Sequence, residues 1–250
     1  MEWLRRWALG AGLVGGLGWA AAVSMSMPDW LDPADACARM AGAESSGGVR
    51  VRTGWLPPSA QCDFGGGDIR AYISTERSIL LSVIGLAVLA LLGYGAAATI
   101  QRLTGPAGMI RTADEIDLRR RHRNHLFFGA LDVLIATALI VFLNTVAIVF
   151  GQLAGGLLFA LTAITALGTL AALLDRHVGP LPSTNLAGRR RGALAGALTF
   201  AAIFVATALT GDLPFFPIWT APLAAITYAT VVHLQWTRAA NHPSHQPSDR

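Results

Sequence analysis

Six stretches of this chain stay apolar for long enough to cross a lipid bilayer: Trp7–Met25, Ile79–Ile100, Leu126–Phe150, Gln152–Leu174, Ala193–Thr210 and Pro217–Trp236. A hydrocarbon core about 30 Å thick takes about 20 helical residues. Formal charge inside these stretches is confined to Asp132, and His233 lies in the last of them. Only Gly151 separates the third stretch from the fourth. One uninterrupted helix over both would be more than twice as long as the core is thick, so the pattern predicts a tight helical hairpin with Gly151 as breaker.

Composition agrees with lipid as the solvent. The 250 residues are 53% hydrophobic and 14% charged, with a mean hydropathy of +0.50, against about 25% charged in a soluble domain. That balance excludes a disordered chain and a coiled coil, and a count of two cysteines excludes a disulfide-dense secreted domain. The predicted fold is an all-α integral membrane protein, a six-helix transmembrane bundle with a small disulfide-closed extracytoplasmic loop.

Charge sets the orientation. All 19 basic residues are arginine. With six spans, 14 of them fall on one side: Arg5 and Arg6, then Arg102, Arg111, Arg119, Arg120, Arg121 and Arg123, then Arg176, Arg189, Arg190 and Arg191, then Arg238 and Arg250. The other side holds five, all in one long loop. The positive-inside rule therefore places both termini in the cytoplasm of a plasma membrane. The organisation expected is a cytoplasmic N-terminus and first span over 1–25, an extracytoplasmic loop over 26–77 and a second span over 78–101. A cytoplasmic basic helix over 102–125 and the hairpin over 126–174 follow. A cytoplasmic loop over 175–192, the fifth and sixth spans over 193–236 and a disordered cytoplasmic tail over 237–250 complete it. The first run also has the form of a signal peptide with a small-residue exit at Ala20–Ser24. Its length, its Trp7 and Trp19, and a Gly12/Gly16 pair suited to close helix packing favour a retained span.

The outer loop holds both cysteines, Cys37 and Cys62. Thiols oxidise outside the cytoplasm, so a Cys37–Cys62 disulfide is expected. The spacing is not the Cys-x-x-Cys of a disulfide oxidoreductase. Val49-Arg50-Val51-Arg52 alternates as a half-buried strand does. Cys62–Phe64 and Ala71–Ile73 supply partner strands for a small β-meander, with Trp55 and Phe64 packing on the disulfide or, in the functional reading, forming a ligand or partner patch. The arrangement of a first span, a loop with the pattern Cys…Trp-Leu-Pro-Pro-x-x-x-Cys and then further spans resembles uncharacterised multi-pass membrane proteins of high-GC Gram-positive bacteria, a match that covers mainly Cys37 to Phe64. That resemblance implies no activity and no ligand.

On the cytoplasmic side, Thr112 and Glu115 form a capping box, predicting a helix over Ala113–His125 that runs into the third span. The arginines around it (Arg119, Arg120, Arg121, Arg123, with Arg189, Arg190 and Arg191) form a basic patch. Its simplest role is to enforce orientation; docking of a lipid or cytoplasmic partner is the other. His122 and His125 are three apart, but no cysteine or carboxylate cluster joins them, and no metal or cofactor is predicted. Nucleic acid is not an expected partner, because the arginines flank apolar runs.

The possible intramembrane polar site comprises Asp132, Asn144, Thr162, Thr169 and His233. An ionisable residue in a span is a functional candidate by default. Asp132 is expected to pair with Arg176 or Arg189 and fasten helices, or else to couple ions. Thr137 and Asn144 share a face. Gly155, Thr162, Thr165, Ala166 and Thr169, interrupted by Phe159, and Ala195, Thr199, Ala202, Ala206 and Thr210 form small-residue stripes suited to interior packing. Pro222 is expected to kink the sixth span. There is no His-Glu-x-x-His and no Gly-x-Ser-x-Gly. The expected function is therefore a non-catalytic accessory or envelope-associated membrane subunit that binds other membrane or envelope proteins. A small-solute or ion transporter component is the alternative.

Overall fold

The computed structural model describes residues 2–28, 32–42, 48–55, 57–106, 108–111 and 117–241. Two compact units are distinguishable: Met1–Ala98 with Val146–Phe159, and Thr99–Thr145 with Ala160–Arg250. Five helical segments among the described residues are long and apolar enough to cross a membrane. They are Trp7–Ser24 in α1 (Glu2–Ser24), α3 (Thr75–Thr104), both arms of α4 (Leu118–Val178) and α5 (Asn185–Thr210). The sixth expected span forms α6 (Thr220–Asn241), of sufficient length but less apolar than these five.

In the first unit, α1 lies against α3 because glycine removes the side chains between them. A Cβ on Gly95 would sit 2.6 Å from Leu9 Cα, and one on Gly85 would sit 2.9 Å from the Trp19 ring. Gly12 faces Leu92, and Gly16 faces Leu158 and Val88. Trp19 is turned inward and donates its indole N–H to the Leu81 carbonyl at 2.7 Å. A tryptophan placed for the interface by spacing alone thus serves as a helix–helix contact.

Among the described residues the loop after α1 folds into a helix and a meander. Asp32 caps α2 (Pro33–Ala41) by accepting from the Asp35 amide, Pro33 occupies the first turn, and Gly42 closes the helix at φ 69°, a left-handed conformation suited to glycine. Strands β1 (Arg50–Trp55), β2 (Pro58–Asp63) and β3 (Ile69–Ala71) pair antiparallel in chain order. Arg50 stands opposite Asp63, and Gln61 opposite Ala71. The disulfide ties Cys37 on α2 to Cys62 on β2, with both residues fully buried and their Cα atoms 5.8 Å apart. Beneath it, Val23, Met27, Ala60, Ile73 and Leu81 form one apolar cluster, so the meander is seated on the ends of α1 and α3. Ser78 adds a hydrogen bond to the Pro58 carbonyl at 2.6 Å. Phe64 is half-buried under the Arg70 guanidinium; the Trp55 side chain lies outside the described atoms.

Helix α4 opens at Leu118, where the Asp117 carboxylate accepts from the Arg119 and Arg120 amides. Residues 112–116, with the expected capping box of Thr112 and Glu115, lie outside the described residues. From Leu118 the helix runs without a break into the third apolar stretch. The break falls at Gln152, at φ 51° and ψ −146°, and not at Gly151. Beyond it the chain doubles back, with Gly156 facing Ile148 and Gly155 facing the Ala147 carbonyl. The glycines here serve close approach, while the strained conformation has fallen to a glutamine. Only glycine visits that region without penalty. Gln152→Gly is therefore expected to stabilise the protein by about 1 kcal/mol, read as a higher unfolding midpoint in detergent; a lower midpoint would contradict a strained turn.

In the second unit, α5 meets the returning arm of α4 through Gly188, Gly192 and Gly196, four residues apart. A Cβ on Gly192 would collide with the Ala172 backbone and one on Gly196 with the Gly168 backbone. Strands β4 (Ile110–Arg111) and β5 (Ser183–Thr184) pair beside the start of α5, which Thr184 caps. Helix α6 buries Ala221, Ala224, Ala225, Tyr228, Val232 and Trp236 along one face. Pro222 is the third residue of α6. It kinks nothing, because the first turn has no internal partner for its missing N–H. Asn241 ends this helix, so the start of the expected tail is helical; residues 242–250, with His242 and His245, are outside the described set.

Candidate functional site

The most concentrated polar chemistry in the second unit surrounds Asp175. This residue lies in the last turn of α4, where the macrodipole is negative and a carboxylate is disfavoured. It is nevertheless 2% exposed. Arg191 of α5 grips it with two parallel hydrogen bonds, Nε to Oδ1 at 3.0 Å and Nη2 to Oδ2 at 3.1 Å. Arg111 stands on the other side, 3.6 Å from Oδ2, and donates to the Arg176 carbonyl at 2.7 Å and the Ser183 hydroxyl at 2.9 Å. Gly188 makes room, since a Cβ there would sit 2.6 Å from Oδ2 and 2.7 Å from Arg111 Nη2. Arg121 completes the rim with a bond to the Gly179 carbonyl at 2.9 Å. The clasp joins the start of α5, the end of α4 and the β4–β5 pair.

A second buried group lies where the first arm of α4 meets α6. Gly129 admits the Tyr228 ring, which lies 2.7 Å from where a Cβ would be. His125 is fully buried between Tyr228 and Trp236. The Trp236 indole N–H has only a proton to offer, so His125 Nδ1 accepts it at 3.1 Å. The ring proton is thereby assigned to Nε2, which faces the Tyr228 hydroxyl at 3.1 Å. His122 stacks on Trp236 at 4.8 Å and on His233 at 5.5 Å between ring centroids. Both nitrogens of His125 are engaged. Among the described residues no three metal-ligating side chains come together.

The expected intramembrane residues do not gather. Asp132 is exposed and, among the described residues, has no ion pair. The helix-fastening carboxylate is Asp175, and the pairing expected of Asp132 with Arg176 or Arg189 does not form. Asn144 is buried and donates to the Pro214 carbonyl at 3.1 Å. Thr137 is fully buried on the same face. Thr169 returns its hydroxyl to the Thr165 carbonyl at 2.7 Å, while Thr162 is half-buried and His233 exposed.

Of the small-residue stripe expected on the fourth span, Gly155 is buried and Thr162 and Thr165 are half-buried. Phe159, Ala163, Leu167, Ala171 and Asp175 are also buried on the returning arm, while Ala166 and Thr169 are exposed. On α5, Ala195, Thr199, Ile203 and Thr207 are buried and Thr210 is exposed. The basic patch divides likewise. Arg121 and Arg191 serve the clasp, Arg190 donates to the Leu103 carbonyl at 2.8 Å, and Arg119, Arg120, Arg123 and Arg189 face outward.

Neither the clasp nor the histidine group was named from sequence. The signals were present: Gly188, Gly192 and Gly196 at four-residue spacing beside three arginines, and Tyr228, Val232 and Trp236 at the same spacing on α6. Lacking a partner for either pattern, sequence alone does not pair them with Asp175 and His125. No family model, curated protein or solved structure matches the chain.

Proposed function

We propose that this is a multi-pass plasma-membrane protein with six crossings and cytoplasmic termini. In this reading it serves as a non-catalytic accessory subunit that binds other membrane or envelope proteins. The observation that carries the reading is Asp132. It stands on an exposed apolar face of α4, among Phe128, Ile135, Leu139 and Phe142, which are 54%, 58%, 56% and 65% exposed. A carboxylate opposed only by lipid is penalised by about 2.5–3.5 kcal/mol. A partner helix presenting a guanidinium, ammonium or imidazole at that depth removes the penalty, and the surrounding apolar side chains supply the packing. The second support is the disulfide-closed module, a rigid surface held at the outer ends of α1 and α3.

Extracted in mild detergent, the chain is expected to elute as a complex larger than its own 26.3 kDa with bound detergent. A photo-crosslinking residue at Leu139 should capture the neighbour, and Asp132→Leu should release it. A single chain with and without the substitution would contradict the proposal. Thr137 gives the transport alternative its one specific support, since its buried hydroxyl has no partner among the described residues and lies on the face of Asn144. Solute or proton flux in vesicles that Asp132→Asn abolishes without unfolding would favour transport over assembly.

A further inference from the structure

We infer that the protein holds one anionic phospholipid at a defined site, with an acyl chain in a groove on α4 and α6 and the phosphate on Arg123. The inference rests on the membrane reading above and goes beyond it. The groove has a volume of about 450 Å³ and is walled by Leu126, Phe127, Leu131 and Leu134, with Ala130 and Ala225 among its smallest lining side chains. It exists because two alanines stand where larger side chains would close the surface. Among the described residues Arg123 is its only charged lining residue.

The dimensions and the charge both select a lipid. At 1.5 Å per residue, the walls from Leu126 to Leu134 run for about 12 Å, close to the roughly 15 Å depth of one leaflet's hydrocarbon. Arg123 stands one turn beyond the apolar end, at the level where a headgroup lies. It is exposed and, among the described residues, has no carboxylate partner. Its planar fork matches a phosphate. Arg119, one turn further along the same face, is also exposed and adds to the local positive field. A wholly apolar occupant, such as a partner helix, leaves that guanidinium without a counterpart; a zwitterionic lipid offsets it with its own cation.

The test uses the purified full chain in detergent, titrated with phosphatidylglycerol and with phosphatidylcholine of identical chains, with bound lipid counted by native mass spectrometry. Phosphatidylglycerol is expected to bind about five-fold more tightly, the preference given by one basic residue near a headgroup. Arg123→Gln should abolish that preference and leave phosphatidylcholine binding unchanged. Ala130→Trp, which fills the groove, should remove the retained lipid of both kinds. Arg50→Gln, on the outer sheet, serves as the control and should change nothing. Glycerol 3-phosphate should not compete, since it lacks the chain. Equal binding of both lipids, an Arg123→Gln variant that keeps the preference, or competition by glycerol 3-phosphate would overturn the site. If the groove is instead a contact between copies or with a partner helix, Ala130→Trp changes the size of the particle and not its lipid count, which also overturns it. Recovery of the chain from cells without detergent would show that the membrane reading itself has failed, and is distinguishable from all of these.

Discussion

Asp175→Ala is expected to cost about 3–5 kcal/mol of stability, the largest loss of any single substitution considered for this chain. The carboxylate is buried and holds two guanidinium groups that are themselves only 21% exposed. Removing it leaves Arg191 and Arg111 facing each other without their counter-charge, at a point where α5 and α4 lie backbone to backbone. Asp175→Asn should lose less, because an amide oxygen still accepts from Arg191 Nε. The diagnostic comparison is the combined variant Asp175→Leu, Arg111→Met, Arg191→Met. It should recover much of the loss, since a buried ion pair replaced by apolar groups is often neutral. Unfolding midpoints followed by far-ultraviolet circular dichroism in one detergent provide the measurement. A combined variant worse than Asp175→Ala alone would show that the charges stabilise the fold outright.

Cys37→Ser is expected to give the second large effect, about 3 kcal/mol, but confined to the disulfide-closed module. The two sulfurs close a loop of sequence separation 25, for which chain-entropy arguments give a loss of that size. A helix of nine residues and three short strands bury little beyond alanines and the disulfide itself. Without the bridge, amide hydrogens at Val51, Ala60 and Cys62 should exchange faster by roughly two orders of magnitude, while those of α5 should be unaffected. Equal acceleration in both regions would mean that the module and the helices unfold together.

The sequence declares its helices through long apolar runs, which depend on lipid length and little else. That is why five of the predicted stretches reappear as long apolar helices, two of which, Leu118–Gln152 and Asn185–Thr210, begin eight residues before the apolar run itself. The disulfide and the meander were legible for a similar reason, since oxidation and alternation are local properties. What escaped depends on distant partners. Asp132 is conspicuous in the sequence as a charge inside an apolar stretch, whereas Asp175 sits at the boundary of one. Only the fold brings Arg111 and Arg191 to Asp175. The small-residue stripes on the fourth and fifth spans were read by residue size, yet burial on the returning arm follows Phe159 and Leu167, which a stripe of threonines cannot outcompete for apolar packing. Gln152 carries the turn next to Gly151, while Gly155 and Gly156 serve the close approach, and a one-residue shift of that kind has no signature in composition.

The most direct test of the membrane account is the side from which single introduced thiols react in intact cells. Both native sulfurs are bonded to each other, so an added cysteine is the only reactive one. Asp212→Cys, in the exposed turn after α5, should be labelled by a membrane-impermeant maleimide added outside, and Arg120→Cys should be labelled only after permeabilisation. Labelling of Arg120→Cys from outside, or of neither position until the membrane is opened, would contradict it.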